Sequence, residues 1–466
     1  MDVGRWIEQE KAKIVSISDQ VWQFAETAMK ERKSAAVLSD ALEREGFHIQ
    51  RGVAGMPTAF VAQYGQGHPV IGILGEYDAL PGLDQEVNPF QKSMNKGEPG
   101  HGCGHNLLGA AAYGAVLAVK EAIDTQQLRG TIRYYGCPAE ETGVGKAFMV
   151  RDGLFDDVDI SLTWHPGGAN YVKLASSQAV NSVKFKFTGR TAHAAGDPWN
   201  GRSALDAVEL MNIGANYLRE HIITDARIHY VITQGGLAPN IVPEFAEVWY
   251  FVRAPQRHQV DEIYERLVNI AHGAAQMTET AMQIEFLSGI YNTLANETVA
   301  GVMHENLEKV GPPKFTSDDI EFAKSMSESI SIKEKRQTLQ RYGGDIAESL
   351  MGKYLCDIII PPFGKGQTMG GSTDVADVSW VTPTGELYIA CCPLGVPGHS
   401  WQITASSGSG IGHRGLLTAA ATLAMSAIDF MINPELVSRA KQEFLIKTKD
   451  NPYKSAMPTD IKPPIE

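Results

Sequence analysis

The sequence predicts an α/β catalytic domain with a largely parallel sheet, interrupted by a small α+β domain of ferredoxin-like order. Two observations predict it. Three short apolar runs, 70–74, 131–137 and 160–164, alternate with helical patterns, as the strands of a buried parallel sheet do. Between 180 and 291 the texture changes to half-exposed strands and helices in β-α-β-β-α-β order.

Taken in order, residues 3–46 read as two helices, because Trp6, Ile7, Ile14, Val15, Trp22 and Phe24 fit a helical face better than alternation. The run 70–74 ends in Gly75-Glu76-Tyr77-Asp78. Residues 106–122 form a helix whose small side chains permit close packing. The run 131–137 leads to Glu140-Glu141, and 160–164 hands over to His165. Ligands in open α/β sheets sit beyond the carboxyl ends of the strands, which is where all three runs deliver acid–base or metal-type residues. In the middle segment, 183–187 alternates apolar residues with Lys184 and Lys186. A helix at 204–220, strands at 228–233 and 246–252, a helix at 260–275 and a strand at 283–287 follow. Helix returns after 291. The polar stretch 316–341 reads as a surface insertion, and the Gly-rich run 406–412 as a loop entering the last helix. Strand 387–391 and helix 414–432 close the first domain, and the Pro/Lys-rich residues after 450 read as an extended tail.

Bulk properties narrow the partners. The formal net charge is −13, with no long basic run, which disfavours nucleic acid and anionic membranes. The N-terminal fifteen residues scatter their charges and carry no secretory pattern, and the apolar-rich stretch 107–119 is too short to span a bilayer. Five cysteines, Cys103, Cys137, Cys356, Cys391 and Cys392, are too few and too irregular for a disulfide framework, so a reducing cytoplasm is the expected setting.

Cys103 and His105 stand two apart, flanked by Gly102 and Gly104. Thiolate and imidazole both suit zinc or manganese-like ions, although the pair reads equally as a buried cysteine beside a helix-start histidine. Glu140-Glu141 reads alone as a solvated turn. Beside a metal, one carboxylate can bind it while the other takes a proton from water. His165 and His399 each sit in a Pro-Gly turn, and their weight comes from the sum of such residues at several strand ends. Phosphate-loop, dinucleotide, His-Glu-x-x-His and nucleophile-elbow patterns are missing.

Seven motifs in combination resemble the metallopeptidase family of aminoacylases, bacterial dipeptidases and auxin-conjugate amidohydrolases. They are GEYDALPG (75–82), GHGCGHNLLGAA (100–111), GCPAEETG (136–143), TWHPG (163–167), GRTAHAA (189–195), GGLAPNIVPE (235–244) and GVPGHS (395–400). The resemblance spans roughly residues 5–440 and is strongest to the branch that hydrolyses p-aminobenzoyl-glutamate. It implies two divalent ions, Mn²⁺ or Zn²⁺, held by a bridging Cys103 with His105, Glu141, His165 and His399. It implies Glu140 as general base and proton donor, and Asp78 as the carboxylate orienting a ligand. Glu76 holds a place where related branches carry a histidine ligand and is not counted as one. His193, from the inserted domain, would polarise the scissile carbonyl, often across a subunit boundary. Asn240 and Arg253 would bind the substrate's backbone or carboxylate. The implied domains are a catalytic unit of 1–179 with 292–450, a lid and dimerisation unit of 180–291, and a tail of 451–466. The implied assembly is a homodimer or a pairing with a homologous second subunit. Gly102 departs from the alanine common before the motif cysteine, and Asn106 from the aspartate of auxin-conjugate enzymes. The expected reaction is hydrolysis of a small N-acyl amino acid. A general aminoacylase or dipeptidase, or a non-catalytic binding subunit of the same fold, is the alternative.

Overall fold

The computed structural model describes residues 1–465. Its larger sheet has seven strands in the order β1 (His48–Arg51), β2 (Phe60–Gln66), β4 (Gly130–Cys137), β3 (Val70–Glu76), β5 (Ile160–Gly167), β11 (Thr384–Ala390), β6 (Tyr171–Lys173). The four central strands β4, β3, β5 and β11 run parallel; β1, β2 and β6 add antiparallel to the flanks. The sheet is therefore mixed, with the expected parallel part at its centre.

Helices α1 (Val3–Phe24) and α2 (Arg32–Arg44) precede the sheet, and α3 (His105–Gln126) follows β3. α1 and α3 share one apolar core with Ile71, Ile73, Leu162 and Leu387. α3 is buried along most of its length, and its small residues allow close approach: a Cβ at Gly109 would lie 2.6 Å from the Glu76 carbonyl oxygen. The helix therefore seats directly on the end of β3. On the sheet's other face, α4 (Gly145–Arg151) buries Phe148 and Met149 against Leu74 and Tyr135.

The second sheet has the order β10 (Ala281–Ile290), β7 (Ala179–Thr188), β9 (Phe245–Ala254), β8 (Arg227–Gln234), all antiparallel. With α5 (Ala204–Leu218) and α6 (Arg257–Thr278) it has a core of its own, including Phe185, Phe187, Val248 and Leu267. Its chain order is β-α-β-β-α-β.

After β10 come α7 (Glu297–Val310), α8 (Ser317–Ser327), α9 (Ile332–Gln340) and α10 (Gly344–Met351). The polar stretch 316–341 is thus two short helices, each opened by a capping box, Thr316 with Asp319 and Ser331 with Glu334. The chain continues through α11 (Val375–Ser379), α12 (Trp401–Ser407), α13 (Gly410–Ile432) and α14 (Pro434–Thr448). The run 406–412 is therefore a junction between two helices rather than one entry loop. α3 and α13 are long and apolar enough to cross a membrane by composition, but both are packed inside the protein. Residues 451–465 form no helix or strand, yet part of this stretch packs tightly. Met457 is 1% exposed, Gly289 N–H donates to its Sδ, and Tyr453 OH donates to Asp377 Oδ1 at 2.8 Å. All five cysteines are free thiols.

Candidate active site

The carboxyl ends of the parallel strands meet in one place. β3 supplies Glu76 and, just beyond it, Asp78. β4 ends at Cys137, and Ala139, in the left-handed region at φ 58°, turns the chain so that Glu140 and Glu141 face back. β5 carries His165. The loop before α3 brings Cys103. Gly104 has φ 78°, and a Cβ there would meet Pro166 at 2.8 Å, so the turn needs glycine on both counts.

Asp78 organises two neighbours. Its Oδ1 lies 2.8 Å from His105 Nδ1, and its Oδ2 accepts the Glu141 N–H at 3.0 Å. With Nδ1 committed to a carboxylate, His105 turns its Nε2 into the cluster, where it is buried and has no hydrogen-bond partner. That nitrogen lies 3.4 Å from Glu76 Oε2 and 3.9 Å from Glu140 Oε2. His165 is fixed likewise: Nδ1 sits 2.8 Å from the Pro166 carbonyl and Nε2 3.4 Å from Cys103 Sγ. His399, exposed and at φ 52°, puts Nε2 3.4 Å from Glu141 Oε2. Three sets of donor atoms converge closely enough for a metal ion: Cys103–His105–His165, Cys103–Glu141–His399 and Glu76–His105–Glu140.

The cluster crowds acidic side chains into a buried space. Burial pushes Glu140 well above the usual carboxylate range, with repulsion from Glu76 and Asp374 adding to it. Burial also raises Glu141 and lifts the Cys103 thiol to about 12. Burial opposes ionisation of Asp78 as well, but His105 and the Glu141 N–H more than offset it and hold Asp78 low. A divalent cation reverses this logic for thiolate and carboxylate ligands. The orphaned His105 Nε2, the unpartnered buried Glu141 Oε1 and the mixed sulfur, nitrogen and oxygen donors fit such an ion.

Sequence reasoning missed a buried ion triad behind the cluster. Lys146 Nζ lies 2.7 Å from Glu76 Oε1 and 2.5 Å from Asp374 Oδ1, and Lys146 N–H donates to Asp374 Oδ2 at 2.8 Å. All three side chains are buried. The available signal was Lys146 itself, a lysine opening the apolar run Ala147–Val150. Nothing near Asp374 in the sequence marks it. Glu76, set aside by the family pattern, stands within ligand distance of His105 while Lys146 holds its other oxygen.

The cluster opens into a cavity of about 490 Å³ between the two sheets. Arg253, on β9, lines it with its guanidinium over the Phe251 ring at 5.2 Å; its hydrogen-bond partner is Ser372 Oγ at 3.4 Å. His193 and Asn240 do not line it. They sit together on the smaller unit, where Ala194 N–H donates to the Asn240 carbonyl and the Gly196 N–H donates to His193 Nδ1 at 2.9 Å. Both are exposed. Within one chain neither residue reaches the cavity, because the loops that carry them project from the smaller sheet's own surface.

A central parallel sheet whose carboxyl ends gather thiol, imidazole and carboxylate over a cleft defines a hydrolase of the metallopeptidase class. The model of the Peptidase family M20/M25/M40 matches residues 72–355, and the chain belongs to that family. It is 42% identical to one of the subunits of the p-aminobenzoyl-glutamate hydrolase of Escherichia coli (strain K12), over 98% of this chain and 97% of that protein. It is 28% identical to the Xaa-Arg dipeptidase of Mus musculus, over 95% and 91%. Among solved structures it is similar to a dinuclear metal binding peptidase of the M20 family from Bacillus subtilis, with a TM-score of 0.57 and 17% identity over 91% of this chain and 99% of the other.

Proposed function

We propose that the protein hydrolyses the amide bond of a small N-acyl amino acid, with p-aminobenzoyl-glutamate as the first substrate to try, and that it uses two divalent ions, Mn²⁺ or Zn²⁺. The observation that carries this reading is the convergence of His105 and His165 on one side, and Glu141 and His399 on the other, upon the shared Cys103, with Glu140 near the unpartnered His105 Nε2. The 42% identical relative supplies the substrate. Bound ions would supply Lewis acidity to water and to the scissile carbonyl. Asp78 holds His105 and the Glu141 backbone in place. Glu140 takes the proton of the attacking water and returns it to the leaving amide nitrogen. Arg253, whose guanidinium has no carboxylate of its own in the cavity, binds the substrate's carboxylate.

The smaller unit would act as lid and as the pairing surface. β8 is its outer strand and exposes Val231 and Ile232, and the 97% exposed Leu237 follows in the loop to β9. A second copy paired there, or a homologous second subunit, would bring its own His193 and Asn240 to this cavity. A cytoplasmic setting belongs to the same reading. Turnover of p-aminobenzoyl-glutamate, acyl amino acids and dipeptides by the metal-loaded protein tests it. Efficient dipeptide hydrolysis without cleavage of the aminobenzoyl compound would favour the dipeptidase alternative. Mixing the inactive variants Glu140→Gln and His193→Ala tests the pairing: recovered activity in the mixture is expected, and none would mean that each chain works alone.

A further inference from the structure

The cavity holds a second polar feature that the hydrolytic reading leaves unused. In the registered pairing of β5, β11 and β6, Thr163 lies opposite Glu386 and Glu386 opposite Lys173; two residues on, His165 lies opposite Tyr388 and Tyr388 opposite Tyr171. Side chains two apart on a strand share a face, so these six residues form two adjacent rows on one side of the sheet. The alternating residues Trp164, Leu387 and Val172 belong to the helix-covered core on the other side. The second row is aromatic: Tyr388 stacks on Tyr171 at 4.8 Å and lies 5.4 Å from the His165 ring. The first row is polar and buried, and it lines the same cavity as His165.

Its chemistry is specific. Lys173 Nζ and Glu386 Oε2 pair at 2.8 Å, so the row carries no net charge. Thr163 Oγ1, on a side chain that is 1% exposed, has no hydrogen-bond partner. A buried hydroxyl left unpaired is costly, and one that lines a ligand cavity is a vacant donor and acceptor. The paired ammonium keeps further N–H donors. A substrate carboxylate placed here would meet Glu386, whereas Arg253 offers a cation with no such competitor. A neutral group that can both donate and accept hydrogen bonds suits the row, and an aromatic ring carrying it could lie against Tyr388.

We infer that Thr163, Glu386 and Lys173 form a specificity subsite for a neutral, hydrogen-bonding substituent on the acyl group, such as the amine of an aminobenzoyl ring. This rests on the proposed hydrolysis only for which side of the amide it reads. The subsite itself is testable without turnover. Calorimetry on the metal-loaded protein should find p-aminobenzoate bound about ten-fold more tightly than benzoate, and Thr163→Val should bring the two within about two-fold. In kinetics, Thr163→Val should lower kcat/KM about ten-fold more for p-aminobenzoyl-glutamate than for benzoyl-glutamate, with the loss in KM; Glu386→Gln, which unbalances the pair, should act in the same direction. Equal binding of the two acids by the wild type, or an unchanged ratio in Thr163→Val, overturns the subsite. Absence of all turnover with the binding preference intact would count against the hydrolase reading and leave the subsite standing.

Discussion

One carboxylate serves two partners at the centre of the site: Asp78 Oδ1 stands 2.8 Å from His105 Nδ1 while its Oδ2 accepts the Glu141 N–H. The imidazole tautomer and the position of the neighbouring carboxylate are set together. Asp78→Asn offers an amide in place of the second acceptor, so either one partner loses its hydrogen bond or His105 carries its proton on Nε2, the nitrogen that faces the cluster. Metal affinity should fall about 10–100-fold, the range for changing such an orienting group. Titration of metal-free protein with Mn²⁺ or Zn²⁺ measures it, and unchanged affinity would remove Asp78 from this role.

In the proposed reaction Glu140 is the group that moves the proton. Glu140→Gln keeps its size and should retain bound metal while kcat drops about 10²–10⁴-fold. Elemental analysis beside steady-state kinetics reads both halves of this expectation. Wild-type turnover with full metal content would assign the proton transfer to another group.

Lys146 stands between Glu76 and Asp374 with all three buried. Lys146→Met leaves two carboxyls without their cation, and removing one member of a buried pair costs about 3–5 kcal/mol. Urea unfolding of the variant should show a loss of that size. A loss below about 1 kcal/mol would mean that the carboxyls accept protons in place of the lysine at little cost.

Two buried carboxyls that are not among the candidate ligands give a pH dependence. Burial raises Asp377 to about 7 against the pull of Tyr453 and Tyr291, and burial with repulsion from Asp78 raises Glu31 to about 8. Each keeps its proton in the native chain at pH values where the unfolded chain has lost it. The native state then binds more protons, so stability falls as pH rises from about 4 toward these raised values. Each group contributes at most about 1.4 kcal/mol per pH unit within its window. Denaturation of metal-free protein between pH 5 and 8 should show the decline, and Asp377→Asn should make it shallower.

The tail contributes to stability. Met457 is buried at the join of β10 and the α4 face, where Gly289 donates to its sulfur. Met457→Ala should cost about 2–5 kcal/mol, read as a lowered denaturation midpoint. A change within about 0.5 kcal/mol would show that the tail adds no packing.

The parts of this architecture that were legible in the sequence share a physical trait. The runs 70–74, 131–137 and 160–164 are apolar because parallel strands are covered on both faces, and their ends are polar because the site lies there. Strand β7 was legible because Lys184 and Lys186 alternate with buried Val183, Phe185 and Phe187. β1, with only Ile49 partly covered, and β6, three residues long, carry too little pattern to read. The helices in 316–341 were signalled by their capping boxes but masked by the polarity of a surface pair. Lys146 and Asp374 lie 228 residues apart, and only the fold makes them neighbours. Arg253 could be placed in the cleft through its family position, whereas the exposure of His193 and Asn240 depends on loop geometry that residue types do not encode.

The seating of α3 on β3 through Gly109 reaches beyond packing. With the Glu76 carbonyl 2.6 Å from where a Cβ would be, β3, which ends at Glu76 just before Asp78, and the helix that opens with His105 pack backbone against backbone. An ion entering this site therefore meets donors already in place and has little ordering to do. Exchanging one divalent ion for another, such as spectroscopically visible Co²⁺ for a silent Zn²⁺, should leave the protein's shape intact, so spectra of the substituted protein would report on the native site.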